Sequence, residues 1–65
     1  NFPMISKGCL VRTSAHRNDL PFGTVCLVIT EPYGSRDKTL PPLVVDVLFE
    51  GEARMIDIHN VEEVQ

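Results

Sequence analysis

The side chains of this 65-residue chain able to hold a metal ion are His16, His59, Cys9, Cys26 and nine carboxylates. Their spacing does not bring them together. The chain contains no Cys-x-x-Cys, His-x-x-x-His or His-Glu-x-x-His, the short separations that set ligands on one turn or one helix face. No metal site is expected. A nucleophile would be Cys9, Cys26, or one of Ser6, Ser14 and Ser35, each needing a histidine and an orienting group beside it. None of these serines sits in a Gly-x-Ser-x-Gly elbow, and a chain this short encloses little volume from which to exclude water. Gly8, Gly23, Gly34 and Gly51 form neither Gly-x-Gly-x-x-Gly nor a phosphate-binding loop. The expectation is a protein that is not an enzyme, with no catalytic residue and no cofactor.

Binding chemistry is better represented. Tyr33 stands between Pro32 and Gly34, and Phe22 between Pro21 and Gly23, in segments that read as loops. With Arg17, Arg36 and Lys38 these aromatics make a candidate contact for an extended peptide or a single nucleic-acid strand. Phe22 and Phe49 also suit the core of a domain short of aromatics, which leaves Tyr33 as the aromatic expected at the surface.

The charge is uneven. Residues 1–40 carry a net +2 and residues 41–65 a net −5, giving −3 for the chain. A net acidic protein repels phosphate at long range, so nucleic acid is the less favoured partner. Asp46, Glu50, Glu52, Asp57, Glu62 and Glu63 read as solvating charges that discourage edge-to-edge aggregation. Cys9 and Cys26 each lie in an apolar run, the setting of a buried free thiol. A disulfide between them is the alternative and would contribute about 3 kcal/mol in the loop-entropy view. Free thiols point to a reducing, cytoplasmic setting. No uncharged apolar run approaches the roughly 18 residues of a membrane helix, and no membrane partner is expected.

These side chains depend on strands. No window keeps helical apolar spacing over three turns, and β-branched and aromatic residues cluster in short runs bounded by Gly, Pro, Asn and Asp. The first strand is expected over Gly8–Thr13 and the second over Thr24–Glu31, with a loop from Pro32 to Pro42. If Glu50-Gly51 form a tight hairpin turn, Phe49 faces Glu52, Val47 faces Arg54, Val45 faces Ile56 and Leu43 faces Ile58, which makes the core face. The other face then pairs Leu48 with Ala53, Asp46 with Met55 and Val44 with Asp57. Val44, Leu48 and Met55, with Val28, are the candidate oligomer face. A short 3₁₀ turn is expected at Asn60, with Val64 returning to the sheet.

The order Lys7-Gly8-Cys9-Leu10-Val11-Arg12, Pro21-Phe22-Gly23-Thr24-Val25 with Val28, Phe49-Glu50-Gly51, Ile56, and Val61-Glu62-Glu63-Val64 resembles the SH3-like barrel superfamily. The nearest members in pattern are KOW-type domains and short phage or environmental proteins. The resemblance implies an all-β, partly open barrel of four to five antiparallel strands with a short 3₁₀ turn near the C-terminus. It covers residues 1–65 as one domain, with residues 1–4 set aside as a tail or tag remnant, and implies a virion-associated location if the protein is phage-derived. The chain lacks the tryptophan and acidic first loop of proline-rich-peptide binders and the Lys/Arg excess of ribosomal KOW domains. The function expected is a non-enzymatic binding or assembly module that self-associates or docks on a protein partner. The alternative is a nucleic-acid-associated barrel using the loop cations.

Overall fold

A computed structural model describes residues 5–17, 20–34 and 43–64. Five strands form one antiparallel sheet: β1 (Leu10–Thr13), β2 (Val25–Val28), β3 (Val44–Phe49), β4 (Glu52–Asp57) and β5 (Val61–Glu63), in the order β4-β3-β2-β1-β5. The all-β reading holds. Both β1 and β2 alternate exposed and buried residues, the pattern of a strand with one face on a core.

The β3–β4 hairpin has the register expected from its turn: Val45 opposite Ile56, Val47 opposite Arg54, and Phe49 opposite Glu52. Glu50 and Gly51 both take positive φ, 52° and 77°, as a type I′ turn requires. Glycine takes this backbone freely, whereas glutamate does not. Glu50→Asn, which tolerates the left-handed region better, is expected to raise stability by up to about 1 kcal/mol, read as a higher urea midpoint at constant slope. An unchanged or lower midpoint would mean that Glu50 stabilises the turn by other means.

β4 and β5 occupy opposite edges of the sheet, yet only the 3₁₀ turn Ile58–Asn60 separates them. Four interstrand steps would hold the edges of a flat sheet about 19 Å apart. The four peptide steps from Asp57 to Val61 span about 14 Å even fully extended, and a 3₁₀ turn is shorter still. The sheet must therefore curl. Inside the curl lie Ile5, Val11, Leu20, Cys26, Val28, Val45, Val47, Ile56, Ile58 and Val61, with Cys9 and Phe49 packed against them. The turn begins two residues before Asn60 because Asp57 caps it, its Oδ1 accepting the His59 N–H at 2.9 Å.

Thr13 fastens the returning end of the β1–β2 connection. Its N–H donates to the Thr24 carbonyl and its carbonyl accepts from Gly23 N–H. Its buried hydroxyl donates to the Pro21 carbonyl at 2.7 Å and accepts from Thr24 N–H at 2.9 Å. In the same connection Arg17 and Leu20 exchange backbone hydrogen bonds, which turns Leu20 into the core.

Three sequence expectations change. Val28 is a core residue and not part of the outer face. Val44, expected on that face, is 1% exposed. Tyr33 pairs with it through two backbone hydrogen bonds of 2.9 Å and projects on the same side, its hydroxyl reaching Asp46, so the ring lies beside Val44. Leu43, assigned to the core face, is exposed where β3 begins.

Candidate functional site

The outer face of the sheet carries a second apolar band. Leu10 is in register with Leu27, Leu27 with Leu48, and Leu48 with Ala53, so four neighbouring strands contribute one row of apolar side chains. Leu10, Leu27 and Leu48 are 47%, 39% and 42% exposed. Val64, whose N–H donates to the Leu10 carbonyl, extends the row beyond β5. Val25 and Met55, both exposed, border it on opposite sides. Directly opposed residues of adjacent strands stand about 5 Å apart, which makes the row continuous.

Polar groups flank the band. Arg12, two residues beyond Leu10, lies on one side, with Glu62 opposite it on β5. Asp46, two residues before Leu48, lies on the other. Tyr33 donates its hydroxyl to Asp46 Oδ1 at 2.6 Å. That hydrogen bond, then partial burial and the nearby carboxylate charge, hold the phenol above the ordinary tyrosine range. The contact is therefore kept at neutral pH and lost as pH climbs through the raised value.

Leu48 and Met55 are exposed as expected, whereas Leu10, Val25 and Leu27 were missed. Their alternation with Val11, Cys26 and Val28 was the signal that could have found them. Phe22 is 68% exposed and is not a core plug. It precedes β2 while Tyr33 follows it, so the sheet places the two aromatics toward opposite ends of that strand and they do not share a groove. Arg17 Nη1 donates to the Met55 carbonyl at 2.6 Å, across the seam between the β1–β2 connection and β4. Arg36 and Lys38 lie outside the described residues.

Cys9 and Cys26 are free thiols, and burial pushes the Cys26 thiol up. Cys9 Sγ donates to the Ser6 carbonyl at 2.9 Å. Among the described residues no three His, Cys, Asp or Glu side chains gather as metal ligands. Nor is any helix there long and apolar enough to cross a membrane.

These features define a small all-β protein with five antiparallel strands in one open, curled sheet, apolar on its inner face and banded on its outer one. Neither protein-family models, curated proteins nor solved structures provide a match to the chain.

Proposed function

We propose that this chain is a non-enzymatic assembly module of the SH3-like kind, self-associating through the outer face of its sheet. The observation that supports it is the in-register row Leu10, Leu27, Leu48, Ala53. Apolar side chains directly opposed across four strands make a contiguous patch, and contiguous exposed patches mark contact surfaces more than scattered single residues do. The strands beneath it are already fixed by the core on their other side, so the contact needs little ordering on binding.

Solution mass measured by light scattering across a concentration series tests this. One chain weighs 7.3 kDa, and a stable multiple of that mass is expected. Leu48→Glu, with Met55→Glu as a second variant at the border of the row, is expected to return the mass to one chain while the far-ultraviolet spectrum keeps its strand signature. A wild type that stays at one chain at every concentration removes the reading.

A further inference from the structure

We infer that the occupant of the outer face is a second copy of this chain, packed about a two-fold axis that passes Leu27, with Arg12 of each copy against Asp46 of the other. The inference rests on the self-association reading and adds the arrangement. β1 and β3 run parallel to each other on either side of β2. Arg12 lies two residues after Leu10 on β1, and Asp46 two residues before Leu48 on β3, while Leu10 and Leu48 both oppose Leu27. Relative to Leu27, Arg12 is therefore one strand over and two residues along in one sense, and Asp46 one strand over and two residues along in the other. With strands about 4.8 Å apart and about 3.4 Å per residue, each stands about 8 Å from Leu27, on opposite sides.

That placement makes the face complementary to itself. An axis lying in the interface, perpendicular to the line from Arg12 to Asp46, exchanges the two positions. Leu27 then meets its own counterpart, and two Arg–Asp contacts form at once, as an isologous interface requires. Leu48 and Leu10 swing onto neighbouring parts of the band, keeping apolar against apolar. Tyr33 engages Oδ1 of Asp46, and a carboxylate has further acceptor positions for a guanidinium.

Charge reversal tests the arrangement in sedimentation equilibrium. Arg12→Glu places two acidic pairs at the interface, and Asp46→Lys two basic ones, so each variant alone is expected to dimerise at least tenfold more weakly than wild type. Mixed in equal amounts, the two variants complement each other at both contacts, and the heterodimer is expected to recover to within a few fold of wild type. Arg12→Gln and Asp46→Asn, the latter keeping an acceptor for Tyr33, serve as neutral forms that leave the fold in place and are expected to weaken the dimer less. If the wild type self-associates while both charge reversals associate as it does, the arrangement falls and the self-association reading stands. Variants that fold and weaken but fail to complement on mixing also overturn it. A wild type that remains a single chain overturns both.

Discussion

Replacing Ile56 with alanine is expected to leave little of the protein folded at room temperature. Ile56 is 2% exposed, lies opposite Val45 in the hairpin, and belongs to the cluster of buried apolar residues inside the curl. Removing three methyl or methylene carbons from such a site forfeits their transfer free energy and leaves a cavity, together about 2–5 kcal/mol. A domain of this length has a core rarely supplying more than about 3–5 kcal/mol of net stability. The loss and the reserve are of the same size, which is why one substitution suffices. Ile56→Val, removing one carbon, is expected to cost about 0.5–1.5 kcal/mol and to fold with a lowered urea midpoint. A midpoint for the alanine variant equal to that of wild type, at equal slope, would show that Ile56 is not in the core.

Thr13→Val is the second large effect, and it works through hydrogen bonds. Valine keeps the shape of threonine, so packing on β1 changes little, but the hydroxyl between the Pro21 carbonyl and the Thr24 N–H disappears. Thr24 still donates its own hydroxyl to Pro21, and its N–H keeps only a long contact of 3.3 Å to that carbonyl. Leaving a partly buried donor so poorly satisfied costs toward the lower end of the about 1–3 kcal/mol that a fully buried one loses. Thr13→Ser separates the causes, since it keeps the hydroxyl and gives up the methyl. If hydrogen bonding governs, serine recovers most of the wild-type midpoint and valine does not; the reverse order would make Thr13 a packing residue.

The hairpin was readable because two independent signals agree on it. Gly51 marks a position where positive φ is easy, and burial of Val45, Val47 and Ile56 forbids a slip by one residue, since the slip would turn Asp46 and Asp57 inward. Leu20 was not readable. It stands alone in a polar connection with no periodicity around it, and only the paired Arg17 and Leu20 backbones direct it inward. Val44 misled for the converse reason. Alternation places it outward correctly, but what covers an outward residue depends on pairing, and the bridge between Tyr33 and Val44 is tertiary information. The outer band was half visible: Leu48 and Met55 emerged from the hairpin, while Leu10 and Leu27 needed the pairing of β1 and β2 with β3. Arg17 looked like a ligand cation because nothing in sequence links it to a carbonyl 38 residues away.

That carbonyl belongs to an outer strand, and its direction matters for how copies of the chain add to one another. Asp46, the partner of Met55 in register, gives its N–H to Thr30 Oγ1 and its carbonyl to Ile29, both away from β4. Met55 therefore turns its own carbonyl toward the open side of β4, the side on which a foreign strand would bind. A strand edge of six residues with every group vacant is a template for end-to-end growth into fibres. The guanidinium of Arg17 occupies that acceptor, so a sixth strand cannot run an unbroken ladder along β4 without displacing it. The two-fold contact proposed for the outer face closes upon itself after two chains, whereas contact through an edge has no natural end. One arginine thus stands against open-ended growth of the sheet along β4.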